Sequence, residues 1–274
     1  MLSNRRVYRE FRPCPALQNL VRCYWTLIGT IAEEERVIRV YPDGCMDLIF
    51  DLRGGMLPAH LPDMNTPPSA FFCGIMPEHE LIRLPTHPVV AGIRFRPGGA
   101  SILPAPASEF ASLDVPIRDI FPDLAPMVDF LGETEPVPEQ LIATVENHLL
   151  DRLRLGEKDT RLSLTAATRL SMPGAAPSVA ELAHDMGVSQ KTLERSFKHT
   201  VGLTPKKFAR VNRLTHSLRL LTQQPIAHTA LDAGYTDQAH FTKEFKQLCG
   251  VTPAQFQARP DTVDFLQDEP PSPK

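Results

Sequence analysis

Residues 178–256 state one pattern twice, and any fold proposed for this chain has to explain the repetition. The first copy, SVAELAHDMGVSQKTLERSFKHTVGLTPKKF, runs from Ser178 to Phe208, and the second, PIAHTALDAGYTDQAHFTKEFKQLCGVTPAQF, from Pro225 to Phe256. At an offset of 47, Val179 answers to Ile226, Ala183 to Ala230 and Gly187 to Gly234. Past that glycine the offset is 48, so Leu193 answers to Phe241, Phe197 to Phe245, Gly202 to Gly250 and Thr204-Pro205 to Thr252-Pro253. The second turn is one residue longer.

Each copy has the grammar of a helix-turn-helix. Val179, Leu182, Ala183 and Met186 keep helical spacing up to Gly187, a residue able to end a helix in the left-handed conformation. Ser189 then stands where an N-cap belongs. Leu193 and Phe197 face inward, which turns Lys191, Glu194, Arg195 and Lys198 outward beside Gln190. In the second copy Thr236 or Asp237 can cap and Phe241 and Phe245 face inward, leaving Gln238, Ala239, His240, Thr242, Lys243 and Lys246 outside. Lysine and arginine neutralise phosphates or bond guanine edges, and glutamine pairs with adenine. This is the chemistry of reading DNA.

One such pattern also describes an ordinary helical hairpin, but here two are joined by a spacer of matching size. Lys206 to Gln223 reads as a helix with Phe208, Val211, Leu214, Leu218 and Leu221 on one stripe. Its length of roughly 25 Å can hold two recognition helices about one DNA turn apart. Lys206 and Lys207, at its start, suit phosphates. The runs LERSFKHTVGLTPKKFARVNRL and AGYTDQAHFTKEFKQLCGVTP carry a resemblance: residues 160–258 look like the DNA-binding module of the AraC/XylS family of bacterial transcription regulators. The resemblance implies seven helices, with two recognition helices in successive major-groove segments. By position it assigns base contacts to Lys191, Glu194 and Arg195 and to Gln238, Ala239, His240 and Lys243.

The formal net charge of −3 hides a division. Residues 160–260 hold 13 Lys and Arg against 6 Asp and Glu, and the remainder holds 16 against 26. A basic nucleic-acid domain joined to a domain that does not bind DNA produces such a split. Proline marks the same boundary, since 18 of 27 lie in residues 1–138, a density that excludes long helices and suits short strands. The fold class expected is therefore α+β: a β-rich domain over 1–136, barrel-like or a sandwich, a helical connection over 137–159, the double helix-turn-helix over 160–258, and a disordered acidic tail over 259–274.

In the β-rich part the clearest hairpin signal is Val37 to Tyr41 and Cys45 to Leu52 around Pro42-Asp43-Gly44. Met46, Leu48, Phe50 and Leu52 share one face, with Asp47 and Asp51 on the other. A later strand sets Val89, Ala91, Ile93 and Phe95 against Arg94 and Arg96. A solvated cross-strand ion-pair ladder is the default reading of these charges. The alternative is an effector pocket of Asp47, Arg94 and Arg96 with Trp25, the sole tryptophan, whose own default place is the core. The segments NLVRCYWTL, VYPDGCMDLIF and AGIRFRPGGA resemble an uncharacterised β-rich domain that precedes AraC-type modules in many bacterial regulators. By that analogy it senses or dimerises.

Between the domains, Pro138 to Leu155 reads as an amphipathic helix with Leu141, Val145 and Leu149 inward, its default partner being the N-terminal sheet. Thr160 to Met172 reads as the first helix of the DNA-binding module.

Enzyme motifs are missing: there is no HExxH, GxSxG, P-loop or GxGxxG. Neither a metal nor a cofactor is expected. Five cysteines at irregular spacing without CxxC read as reduced thiols. The competing reading is covalent chemistry in the N-terminal domain, alkyl acceptance or redox sensing at Cys14, Cys23, Cys45 or Cys73. No apolar run is long enough for a membrane span, and Met1 to Leu20 is too charged for a signal peptide, so a cytoplasmic protein is expected. The expected partner is double-stranded DNA. RNA polymerase, an unidentified small-molecule effector and a second copy of the chain, as a homodimer, are further candidates.

Overall fold

The structure, a computed structural model, describes residues 7–64, 66–67, 69–124, 126, 138–155, 160–172 and 177–258. Nine short strands come first among these residues: β1 (Val7–Phe11), β2 (Val21–Ile28), β3 (Val37–Val40), β4 (Met46–Asp51), β5 (Leu57–Pro58), β6 (Ser69–Cys73), β7 (Glu80–Arg83), β8 (Val89–Phe95) and β9 (Asp114–Pro116). They form two antiparallel sheets, one of six strands in the order β1-β2-β8-β4-β6-β9 and one of three in the order β3-β7-β5.

Alternation along the strands sorts the two faces of the large sheet. Cys23, Trp25, Leu27 and Val90 point toward the small sheet, where Leu84, Ile38 and Ile82 cover them. Tyr24, Leu48, Phe50, Ile93 and Phe95 point the other way, into a core shared with the helices. β8 lies between β2 and β4 and every residue of it is buried, which a strand covered on both faces requires.

The helices follow as α1 (Ile117–Ile120), α2 (Pro138–Leu155), α3 (Arg161–Leu170), α4 (Val179–Asp185), α5 (Gln190–Val201), α6 (Pro205–Leu221), α7 (Ile226–Asp232), α8 (Gln238–Cys249) and α9 (Pro253–Gln257). Helix α2 buries Leu141, Val145 and Leu149 against the sheet. Glu146 fixes its position, accepting from the Tyr24 hydroxyl at 2.8 Å and the Cys14 amide at 3.0 Å. No helix among the described residues is long and apolar enough to cross a membrane.

The helical part has two cores. Leu193, Phe197, Phe208 and Val211 join the large sheet's core, whereas Leu214, Leu218, Phe241, Phe245 and Phe256 form a separate cluster. Helix α6 spans both, its stripe of Phe208, Val211, Leu214, Leu218 and Leu221 running from one to the other. Each fully buried side chain of this size contributes about 1.5–3 kcal/mol.

Two expectations need correction. Val37–Val40 and Met46–Asp51 flank Pro42-Asp43-Gly44 but do not pair: β3 bonds to β7 in the small sheet, and β4 lies between β6 and β8 in the large one. The connection crosses between sheets because it has another partner. Tyr41 is buried in the second helical cluster, and the Pro42 carbonyl accepts from Thr215 of α6 at 3.3 Å. Nor do the charges of β4 and β8 form a solvated ladder. Asp47 and Arg94 do face each other in register, but they lie between the sheets, and Asp51 is fully buried, receiving the Gly54 and Met56 amides at 3.0 and 2.9 Å. The acidic tail over 259–274 lies outside the described residues.

Candidate nucleic-acid interface

Helices α5 and α8 are built alike. Both are twelve residues long, and in both an N-cap side chain accepts from the amide three residues on: Ser189 from Thr192, Asp237 from His240. The extra residue of the second turn places Tyr235 in the core and leaves Asp237 to cap. Both helices end on a left-handed glycine, Gly202 at φ 91° and Gly250 at φ 73°.

The inward residues Leu193, Phe197, Phe241 and Phe245 are wholly buried. On α5, Gln190, Lys191, Arg195 and Lys198 are exposed, and half-buried Glu194 receives the Gln190 amide at 2.9 Å. On α8, Gln238, Ala239, His240, Lys243 and Lys246 are exposed and Thr242 is half-buried. His240 is steered by its neighbours, with Nδ1 3.4 Å from the Thr236 hydroxyl and its ring edge-on to Tyr235. Lys206 and Lys207 are exposed on the first turn of α6, behind the Thr204 cap.

One position that holds α8 in place escaped the sequence reading. Glu244 of α8 is 8% exposed, yet bonds Arg210 and Arg213 of α6 and the Tyr235 hydroxyl, each at 3.0 Å. Burial opposes the charge on Arg213, and Glu244 outweighs it, so the guanidinium titrates above its ordinary range. Arg213 also lies over the Tyr235 ring, 4.6 Å from its centroid. This knot fixes α8 on the linker helix. At the offset of 48 the first copy has Ser196, which bonds Ser163 of α3 at 3.0 Å. The repeat alignment could have exposed the site: a small hydroxyl answers to a carboxylate both at the N-caps, Ser189 and Asp237, and at Ser196 and Glu244, and the second of these pairs ties α5 and α8 to their supports.

The β-rich domain touches both α5 and α8 at their C-terminal ends. Gly202 packs on Ile75 and Met46. At Gly250 a Cβ would meet the His79 ring and Arg39, so positive φ and close approach demand glycine together. The Arg39 guanidinium donates to the Cys249 carbonyl at 3.0 Å and the His79 amide to that of Leu248 at 2.8 Å. A cation there suits the negative end of the helix dipole. Arg195 borders a smaller cavity of about 310 Å³, shared with Ser101 and Ala107 of the β-rich domain.

Three of the four residues considered for an effector pocket share an internal network. Trp25 donates to Asp47 at 2.8 Å, and Arg94 lies 3.2 Å from Asp47 and 3.5 Å from Asp43. Burial holds the Asp47 carboxyl above its ordinary range, a shift that the adjacent Arg94, 3.2 Å away, lessens. Arg96 alone of the four lines a cleft of about 790 Å³ between the large sheet and α6. Burial pushes the Cys45 thiol up to about 12 and raises Cys23 and Cys73 as well, so none of the three is an activated thiolate. No three metal-ligating side chains cluster among the described residues.

Comparison with known proteins agrees with this geometry. Residues 182–259 match a family model described as a helix-turn-helix domain, and residues 9–116 one described as a domain of unknown function (DUF6597). The probable transcription factor PqrA of Proteus vulgaris is 34% identical over 93 residues, which are 32% of this chain and 76% of that protein. The chain belongs to the AraC-type family of helix-turn-helix transcriptional regulators. An uncharacterised HTH-type transcriptional regulator of Haemophilus influenzae is 31% identical over 101 residues, covering 36% of this chain and 34% of the relative. The match thus spans about a third of the length of that relative, as it does for the regulator MtrA of Neisseria gonorrhoeae. Among solved structures, an AraC-type transcriptional regulator from Chromobacterium violaceum has 28% identity and a TM-score of 0.34, over 36% of this chain and 93% of its own. In this AraC-type regulator the helix-turn-helix match covers both α5 and α8.

Proposed function

We propose that the chain is a sequence-specific regulator that reads two successive major-groove segments of double-stranded DNA, one with α5 and one with α8. Lys191, Glu194 and Arg195, with Gln190 beside them, address base edges in the first segment. Gln238, Ala239, His240 and Lys243 do so in the second. Lys198 on α5, Thr242 and Lys246 on α8, and Lys206 and Lys207 at the start of α6 meet phosphates. The β-rich domain governs the pair, as a sensor or as a dimerisation unit, by holding the C-terminal ends of both helices.

The observation that carries this reading is the duplicated construction: two capped helices of equal length, each with a polar outer face, each anchored on a shared linker helix. A one-sided hairpin would need no second copy at the same standard. Insertion of five base pairs between the two half-elements of an operator rotates one segment to the far side of the duplex. Footprinting should then show loss of specific protection. Protection that survives the insertion would mean that one helix alone touches bases.

A further inference from the structure

The cavity bordered by Arg195 lies between the two halves of the chain, with α5 as one wall. Ser101 and Ala107 line it from the β-rich domain, Arg195, His199 and Thr200 from α5, and Thr160 from the start of α3. The walls meet tightly beside it. A Cβ on Gly98 would come within 2.8 Å of Leu164 and 3.5 Å of Thr200, and one on Gly202 within 3.1 Å of the Ala107 carbonyl. Its volume of about 310 Å³ stands at the lower end of the roughly 300–1,000 Å³ of small-molecule sites.

Hydrogen-bonding groups converge on this cavity with no protein partner to satisfy them. Thr200 is 6% exposed, yet its hydroxyl has no partner among the described residues, a state that is rare for a buried polar group. Thr160 is the N-cap of α3, but its side chain makes no cap bond, and the Ser101 hydroxyl has no partner among the described residues either. The Arg195 guanidinium and the His199 ring, one turn apart on α5, likewise have no hydrogen bond or ion pair among the described residues. Ser196 between them is different, being bonded to Ser163 at 3.0 Å.

We propose that this cavity binds a small oxyanion, the carboxylate or phosphate group of a compact metabolite. Arg195 pairs with it at the rim, and the Thr200, Ser101 and Thr160 hydroxyls donate to it from the walls. Hydroxyl donors grouped around one guanidinium select charged oxygen acceptors, and the small Ala107 side chain leaves the space for them. Arg195 is also assigned to a base edge in the first DNA segment, so an anion that engages it competes with the operator. The site deepens the regulatory reading given above and rests on the base-contact assignment only for that competition.

Calorimetric titration of the full chain with inorganic phosphate and with malonate, at constant ionic strength, tests the site. One saturable event per chain is expected, weakened about tenfold or more in Arg195→Ala and about fivefold in Thr200→Val, which puts a methyl in place of the hydroxyl. A response to phosphate alone identifies phosphate chemistry, and one to malonate alone identifies carboxylate. If Thr200→Val fails to fold by circular dichroism, Ser101→Ala replaces it. Fluorescence anisotropy should show the anion, at a concentration that saturates wild type, raising the operator Kd severalfold in wild type and by less in Thr200→Val. Absence of saturable binding by either anion, or equal affinity in wild type and both variants, overturns the proposal. So does a loss in Arg195→Ala with none in Thr200→Val, which would leave an exposed cation on a helix instead of a site. Binding that depends on both residues while operator affinity ignores the anion keeps the site and removes the competition. An Arg195→Ala protein with unchanged operator affinity removes the base-contact assignment and leaves the anion site standing.

Discussion

Glu244→Ala is the perturbation that most directly probes how the second recognition helix is held. The carboxylate is 8% exposed and joins Arg210, Arg213 and Tyr235 at 3.0 Å each, so its removal takes a partner from all three at once and leaves Arg210 its bond to Gln247 at 2.6 Å. Breaking a fully buried ion pair costs about 3–5 kcal/mol. Here the two arginine side chains are 32% and 34% exposed and can regain water, which lowers the expected loss to about 2–3 kcal/mol. Glu244→Gln keeps the shape and one acceptor and should lose about half as much, while Tyr235→Phe, which deletes one hydrogen bond, should lose about 1 kcal/mol. Urea unfolding of the full chain followed by circular dichroism gives the stabilities, and fluorescence anisotropy with operator and random duplexes gives the binding. Because α8 would be loosened on α6, operator affinity should fall more than affinity for random DNA. A Glu244→Ala protein within about 0.5 kcal/mol of wild type, with operator affinity unchanged, would refute the reasoning.

Three further outcomes are expected. Arg195→Ala and Gln238→Ala should each cost about 1–3 kcal/mol on the operator and almost nothing on random DNA, whereas Lys207→Ala should weaken both equally; equal losses in all three variants would remove the division between base and phosphate contacts. A fragment beginning at Thr160 should bind operator more weakly than the full chain and with steep salt dependence, and should unfold earlier, because Phe197 and Phe208 lose the sheet they pack on. Burial, with Arg39 beside it, lowers the His79 imidazole below its ordinary range despite Glu78. The folded state thus prefers the neutral ring, so stability should fall as pH drops from about 6.5 through the lowered folded value, and His79→Gln should shrink that fall in pH-dependent unfolding.

The repeat made the DNA-binding half legible. Periodicity placed Leu193, Phe197, Phe241 and Phe245 inward, capping residues located both helix starts, and Gly187 located the end of the helix before α5, since all of these depend on contacts within a few residues. Strand faces were readable for the same reason: Leu48 and Phe50 of β4, like Ile93 and Phe95 of β8, alternate with their polar neighbours. Pairing was not readable. Whether β3 met β4 or β7 depended on Tyr41 and Pro42 finding the linker helix, about 170 residues away, at the Thr215 hydroxyl. The fate of Asp47 and Arg94 likewise depended on a second sheet that no local pattern announces, which turned an expected surface ladder into a buried pair. Glu244 reads as one more polar residue on a helix until α6 brings two arginines to it. Local chemistry is written in residue spacing, while charge pairing across a domain boundary exists only once distant segments meet, because the energy of a buried ion belongs to its surroundings and not to the residue.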